Sequence, residues 1–101
     1  MIARMWHGWT TPANADAYET LLRTQILPRI RQSAGCEGIR VFRRGRDAEV
    51  EFVTLLLFNS LDAVKAWAGE HYETAVVPPE ARKLLKRFRD RSRHYETVVQ
   101  L

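Results

Sequence analysis

The run EVEFVTLLLF, residues 49–58, constrains the fold more than any other part of this chain. Successive residues of a β-strand point to opposite faces, and this run is apolar on both. One face carries Phe52, Thr54, Leu56 and Phe58, and the other carries Val53, Leu55 and Leu57. Helices of the same chain can cover only one side of the sheet. We therefore predict that a second copy of the protein covers the other side, in a symmetric dimer.

Length and composition predict one globular domain spanning residues 1–101, since 46% of the residues are hydrophobic and 28% are charged. A domain this short buries a modest share of its surface, so contact with a partner would add stability. The single cysteine, Cys36, excludes an internal disulfide and fits a reducing compartment. Because the first residues lack a signal-peptide pattern and no segment is long and apolar enough to span a membrane, we expect a cytoplasmic protein.

Hydrophobic periodicity predicts the order strand, helix, strand, strand, helix, strand. The first half of the chain is predicted to form a strand over 2–10, a helix over 13–32, and two strands over 39–44 and 49–58 that a tight turn at 45–48 joins. A second helix follows, which Asn59 or Ser60 caps and Gly69 ends. The last predicted elements are a short basic helix over 80–89 and a strand over 91–99. Pro28 should kink the first helix because proline lacks an amide hydrogen. This order is that of an α+β fold, the ferredoxin-like βαββαβ sandwich with a four-stranded antiparallel sheet.

Positive charge is concentrated near the end of the chain, whose formal net charge is +4. The basic cluster comprises Arg82, Lys83, Lys86, Arg87, Arg89, Arg91 and Arg93. A solvated helix face is the simpler interpretation, and contact with an anion or a nucleic acid is the alternative. RNA-recognition motifs share the element order, but they place aromatic residues on a solvated third strand, where this chain has aliphatic ones. We therefore disfavour a nucleic-acid partner.

The segment LFNSLDAVKAWAG, residues 57–69, is followed by His71-Tyr72-Glu73 and later by His94-Tyr95-Glu96. Together these segments resemble the dimeric α/β-barrel superfamily, in particular its antibiotic biosynthesis monooxygenase-like domains. The resemblance spans nearly the whole chain. It implies a homodimer whose two sheets pack face to face, with a pocket in each subunit between its own sheet and helices. Several relatives oxidise polycyclic phenols or quinols without metal or flavin, because the deprotonated substrate itself passes an electron to dioxygen.

The resemblance also implies a set of candidate catalytic residues. Asn59, Trp67 and Tyr72 match positions where a polyketide-oxidising branch carries its proposed site residues, and His71 is an added candidate base. A neutral imidazole can accept a phenolic proton, while the Trp67 indole and the Asn59 amide would hold the resulting oxyanion. Trp67 and His71 would share one helix face if the helix continued past Gly69. The alternatives are a helix cap for Asn59, core packing for Trp67, and surface or interface positions for His71 and Tyr72.

The predicted function is a cofactor-independent monooxygenase that oxidises an aromatic, phenolic or quinol-type small molecule with dioxygen. A non-catalytic homodimer that binds a small aromatic molecule is the alternative. Haem degradation is a lesser one, because the haem-degrading branch uses an asparagine on the first strand, which is absent here, and a histidine farther beyond the tryptophan than His71 lies from Trp67. The sequence contains no hydrolase motif, phosphate-binding glycine loop or metal-ligand cluster, so we expect neither cofactor nor metal.

Overall fold

One antiparallel sheet with helices on a single face organises the chain, and the computed structural model describes all 101 residues. The strands are β1 (Ile2–Thr10), β2 (Cys36–Arg46), β3 (Glu49–Phe58), β4 (Leu85–Phe88) and β5 (Arg93–Glu96). The helices are α1 (Pro12–Leu21), a π-helical turn (Leu22–Ile26), α2 (Leu27–Arg31), α3 (Leu61–Ala68) and α4 (Pro79–Leu84). The sheet order is β2-β3-β1-β4, and β5 also pairs with β1. The predicted ferredoxin-like α+β fold is confirmed.

The last edge of the sheet differs from the prediction, because it is built from two short strands. β4 pairs with β1 at Gly8–Thr10, and β5 pairs with β1 at Ile2–Met5. The predicted helix over 80–89 is wrong beyond Leu84, since pairing with the free edge of β1 overrides the helical preference of the basic segment. The predicted strand over 91–99 is observed as the shorter β5, Arg93–Glu96, which pairs with Ile2–Met5, and the Thr97 amide beyond it still donates to the Met1 carbonyl oxygen at 2.8 Å.

The first helix follows the prediction at its start and deviates near Pro28. The Thr11 hydroxyl accepts a hydrogen bond from the Asn14 amide at 3.3 Å, and Pro12 occupies the first turn. In the turn that precedes Pro28, the N–H of Leu27 donates to the carbonyl oxygen of Leu22, five residues back. The expected kink is therefore a π-helical turn, a feature often found beside functional sites. None of the helices has the length and apolarity needed to cross a membrane.

The hairpin and the helix that follows it agree with the prediction, and Ser60 is the one of the two predicted capping residues that caps the helix. β2 and β3 are joined by Asp47 and Ala48, and Asp47 adopts a left-handed φ of 56°, which aspartate tolerates. Ser60 caps α3, because its hydroxyl accepts the Ala63 amide hydrogen at 3.1 Å. Asn59 is therefore not the capping side chain. Gly69 ends the helix with a φ of 93°.

The core lies between the sheet and the helices. On β3, alternate side chains are buried, and the largest of these, Phe52 and Phe58, are fully buried. Tyr18 of α1 packs edge-on against Phe52 with ring centroids 4.8 Å apart, and Trp67 of α3 lies 5.8 Å from Phe58. The residues of the opposite face, Val53, Leu55 and Leu57, are only partly buried in the protomer. The helices thus cover one face of the sheet, and the second apolar face is the one on which the dimer prediction depends.

Candidate functional site

A small apolar cavity lies between the helix-facing side of the sheet and the helices. Its volume is about 50 Å³, and 11 of its 15 lining residues are hydrophobic. The lining includes Arg4, Trp6, Tyr18 and Trp67, together with Val76, Val77 and Pro78 from the segment between α3 and α4. The π-helical turn contributes Leu22 and Ile26 to one wall. The irregularity predicted at Pro28 therefore shapes the cavity.

Arg4 is the charged residue of this cavity, and it is almost entirely buried, with 3% of its surface exposed. Its Nη1 donates to the Tyr72 carbonyl oxygen, and its Nη2 donates to the Thr74 carbonyl oxygen at 3.2 Å. Nη1 also lies 3.0 Å from His94 Nε2. The guanidinium carbon sits 5.0 Å from the centre of the Trp67 ring. Burial lowers the pKa of Arg4 to about 10, so the side chain remains a cation at neutral pH.

His94 is paired with Arg4 across β1 and β5, and this pairing defines its protonation state. Because a guanidinium can only donate hydrogen bonds, Nε2 must accept, and the ring proton of the neutral imidazole is assigned to Nδ1. Burial lowers the pKa of His94, and the charge of Arg4 lowers it further. The Tyr72 ring stacks edge-on against His94 with centroids 5.1 Å apart. His94 is therefore a neutral partner of the buried cation.

The structure brings two of the four predicted site residues to this region. Trp67 lines the cavity beside Arg4. Tyr72 contributes through its carbonyl oxygen, which holds the guanidinium, while its ring packs against His94. The indole of Trp6, which also lines the cavity, donates to the Arg89 carbonyl oxygen at 2.7 Å. That bond ties the wall to the segment between β4 and β5.

The other two predicted residues, Asn59 and His71, are exposed and lie outside the cavity. The Asn59 amide donates to the Gly35 carbonyl oxygen at 2.8 Å, and its side chain packs against that glycine. His71 accepts the Thr74 amide hydrogen at 2.9 Å through its carbonyl oxygen, in a turn. Because α3 ends at Ala68, His71 does not continue the helix face that carries Trp67.

The sequence interpretation missed Arg4, although alternation along β1 contains the signal. Arg4, Trp6 and Gly8 are alternate residues of β1, so all three positions face the same side of the strand. Which side the helices cover is decided by pairing with β3, where Arg4 lies opposite the buried Leu56. That information comes from a segment some fifty residues away, and periodicity within β1 does not contain it.

The basic cluster does not form one helix face. Its residues are distributed over α4, β4, β5 and the loop between these strands. Arg87 makes two hydrogen bonds to the Glu49 carboxylate at 3.0 Å, and its guanidinium stacks 3.8 Å from the Trp9 ring. Lys86 lies 3.5 Å from the same carboxylate, and Arg91 lies 3.7 Å from Glu73. The interpretation as a single solvated helix face is therefore wrong, because half of the segment pairs with β1.

Comparison with solved structures decides the fold type. A crystal structure from Deinococcus radiodurans, described as a candidate antibiotic biosynthesis monooxygenase, superimposes with a TM-score of 0.70 over 100% of this chain and 96% of that chain, at 15% identity. The chain shares the fold of that protein. A second antibiotic biosynthesis monooxygenase structure gives a TM-score of 0.69 at 17% identity, covering 98% of this chain and 100% of that one. The resemblance recognised in the sequence is thus confirmed at the level of the fold.

The same fold also occurs in a haem-degrading protein from Mycobacterium tuberculosis, whose structure has two haems bound in its active site. That structure gives a TM-score of 0.63 at 17% identity and covers 100% of this chain and 99% of that chain. No protein-family model matches the sequence, and no curated protein matches it significantly. The similarity therefore establishes architecture and not activity.

The residues of the cavity do not fit haem. Haem iron is held by histidine, cysteine, methionine or tyrosine side chains. Of these types only Tyr18 lines the cavity, and burial raises the pKa of Tyr18, so it remains a neutral phenol. A phenol is a poor iron ligand compared with a phenolate, and the neighbouring cation Arg4 would add charge repulsion to iron.

Proposed function

We propose that the protein is a monooxygenase that needs no cofactor and oxidises an aromatic, phenolic or quinol-type small molecule with dioxygen. The observation that carries this proposal is the apolar cavity in which a buried cation, Arg4, lies beside the Trp67 ring. Such a site excludes water from a reactive anion and stabilises its negative charge, which are the two requirements of this chemistry.

The reaction follows from the chemistry of the substrate. A phenol or an activated CH₂ group first loses a proton, and the resulting anion passes one electron to dioxygen. The substrate radical and superoxide then combine at carbon to form a hydroperoxide, which takes up the proton and loses water to leave a carbonyl group. One oxygen atom enters the product, the other leaves as water, and the substrate supplies all the electrons.

The residues of this chain have distinct proposed roles. Trp67 contacts the aromatic ring of the substrate, and Arg4 faces its oxygen. Tyr72 is a positioning residue, because its carbonyl oxygen holds the guanidinium of Arg4. The predicted catalytic roles of Asn59 and His71 require the substrate to extend beyond the cavity, since both are exposed outside it.

The size of the cavity adds a conformational requirement. A cavity of about 150 Å³ holds benzene, whereas this one measures about 50 Å³. One wall is the irregular segment between α3 and α4, which includes Val76, Val77 and Pro78, and Val76 is 52% exposed. We propose that this wall moves outward when an aromatic ring enters, since residues 75–78 belong to neither a helix nor a strand.

A non-catalytic, ligand-binding protein is the second candidate, and one observation favours it. The cavity lining contains neither a carboxylate nor an imidazole that would take a proton from the substrate. A protein that only binds or sequesters an aromatic metabolite needs no base. The two functions differ in oxygen consumption and not in ligand affinity.

Oxygen consumption with a panel of hydroquinones and anthrones tests the proposal. We expect turnover by the wild-type protein and a lower kcat in Trp67→Phe, with Ala66→Ser, an exposed substitution on the same helix, as the matched control. A fall in His71→Ala would assign it the base role, whereas an unchanged rate would remove it from the mechanism. If no substrate gives oxygen uptake above the uncatalysed rate, the monooxygenase is rejected and the ligand-binding function remains.

We also propose a homodimer through packing of the two open sheet faces. Val53, Leu55 and Leu57 give this face an aliphatic centre. Two large apolar side chains on the same face, Phe42 and Tyr95, are 52% and 47% exposed in the protomer. An apolar surface of this kind is typical of an interface.

A further inference from the structure

We propose that Arg4 makes the cavity selective for ligands that carry a negative charge, and that it acts as the counter-ion of the bound anion. This inference deepens the proposed function and rests on it, because it names the charge state in which the substrate is held. It also assigns a specificity role to a residue that is not among the candidates predicted from the sequence.

Arg4 is a buried charge without an opposite charge. Among the buried residues it is the one that carries an ionised side chain. Buried charges are normally paired, since removing a cation from water costs several kcal/mol. The partners of Arg4 are two main-chain carbonyl oxygens and a neutral imidazole, and none of the ion pairs in the structure includes it. The nearby carboxylate of Glu73 pairs with Arg91 instead.

The guanidinium of Arg4 also retains hydrogen-bonding capacity. A guanidinium has five N–H donors. Nη1 uses its two for the Tyr72 carbonyl oxygen and His94, and Nη2 uses one for the Thr74 carbonyl oxygen. The Nε–H and one N–H of Nη2 remain without a protein partner. Free N–H donors of a guanidinium hydrogen-bond the oxygens of a carboxylate or a phenolate.

The apolar surroundings of Arg4 strengthen its attraction for an anion. The cavity is mostly apolar, so the attraction between Arg4 and a bound anion is weakly screened. The same attraction lowers the pKa of a bound phenol, because it favours the charged form. A substrate that arrives as its anion, or ionises on binding, requires no base in the cavity wall. This accounts for a lining that contains no carboxylate and no imidazole.

The other ionisable groups that face Arg4 do not supply a competing negative charge. His94 on β5 is neutral, and Tyr18 on α1 is held as a phenol because burial raises its pKa. Glu73, in the loop after α3, is an exposed residue that is paired with Arg91. A change in the ionisation of a bound ligand near neutral pH therefore reports on Arg4.

The test uses 4-nitrophenol, a one-ring probe whose anion absorbs visible light and whose phenol form does not. Absorbance titrations across pH, with and without protein, give the relative affinity for the two forms. We expect wild-type protein to bind the anion at least tenfold more tightly, which lowers the apparent pKa of the bound probe by about one unit or more. In Arg4→Gln the preference should vanish or reverse, and Arg4→Lys should restore part of it because it restores the charge.

The control is 4-nitroanisole, a probe of similar shape that cannot ionise. Its binding, followed by quenching of tryptophan fluorescence, should change by less than about threefold in Arg4→Gln if the cavity remains intact. Circular dichroism confirms that each variant is folded. Equal affinity of wild-type protein for both forms of 4-nitrophenol, preserved anion preference in Arg4→Gln, or no binding of either form by folded wild-type protein would each overturn the inference.

The outcomes also separate this inference from the proposed oxidation. Anion preference without oxygen uptake on any substrate would support the role of Arg4 and reject the monooxygenase. Oxygen uptake on anthrones without anion preference would support the monooxygenase and reject the role of Arg4.

Discussion

Replacing Leu55 with glutamate should dissociate the proposed homodimer and leave the protomer folded. Leu55 lies near the middle of β3, on the face that the helices do not cover. In the sheet register it is opposite Met5 of β1 and Arg40 of β2. A side chain at this position would be at the centre of a face-to-face interface.

The expected magnitude follows from burial and symmetry. Burying a leucine side chain contributes about 1.5–3 kcal/mol. Because each protomer of a symmetric dimer contributes one copy, losing both costs about 3–6 kcal/mol, or roughly a 10²- to 10⁴-fold increase in Kd. In the separated protomer the new carboxylate faces Arg40 across the strand pair, and such opposite-charge pairs contribute about 0.2–1 kcal/mol. The protomer should therefore keep its fold.

Size-exclusion chromatography with light scattering, over a dilution series of each protein, measures the assembly state. Ala66→Glu, on the exposed side of α3, introduces the same charge and serves as the control. We expect dimers for the wild-type protein and the control, and monomers for Leu55→Glu at the same concentrations. A folded monomeric wild-type protein, or a Leu55→Glu variant that is as dimeric as the wild type, would refute the argument from the open apolar face.

Two further predictions concern stability. The Thr10 hydroxyl is buried without a hydrogen-bond partner, so Thr10→Val should raise the free energy of unfolding by about 1–2 kcal/mol. The adjacent Thr11→Val removes the hydroxyl that caps α1 and should lower the free energy of unfolding by about 1 kcal/mol. Urea denaturation measures both free energies, and changes of the same sign in the two variants would contradict this reasoning. Burial lowers the folded-state pKa of His94, so the unfolded state binds a proton more readily and stability falls as pH decreases below about 6.5. His94→Gln should flatten this part of the stability profile, and an unchanged pH dependence would show that His94 contributes nothing to it.

The extent to which the fold was predictable differs between segments. The hairpin of β2 and β3 and the position of Gly69 are confirmed, because the strand alternation and the glycine are properties of the segments themselves. The segment 80–89 was predicted wrongly, because its basic residues allow a helix while the free edge of β1 recruits Leu85–Phe88 as a strand.

The predictions for the candidate site also differ in outcome from residue to residue. Trp67 was predicted from the resemblance, and it lines the cavity. Asn59 was predicted in the same way and His71 was added as a candidate base, but the end of α3 at Ala68 and the packing of Asn59 against Gly35 leave them outside it. Their catalytic roles stay predictions that the oxygen-uptake measurements address.

The sequence by itself determined the order of the elements from β1 to α3 and the presence of an apolar strand with two faces to cover, since both depend on the spacing of residues within one segment. Only the tertiary structure decided which face of β1 turns towards the helices, and with it the burial of Arg4 beside Trp67 and His94. The physical reason is that burial and charge pairing depend on groups brought together from distant segments. A cation without a counter-ion becomes recognisable only when all of its neighbours are known.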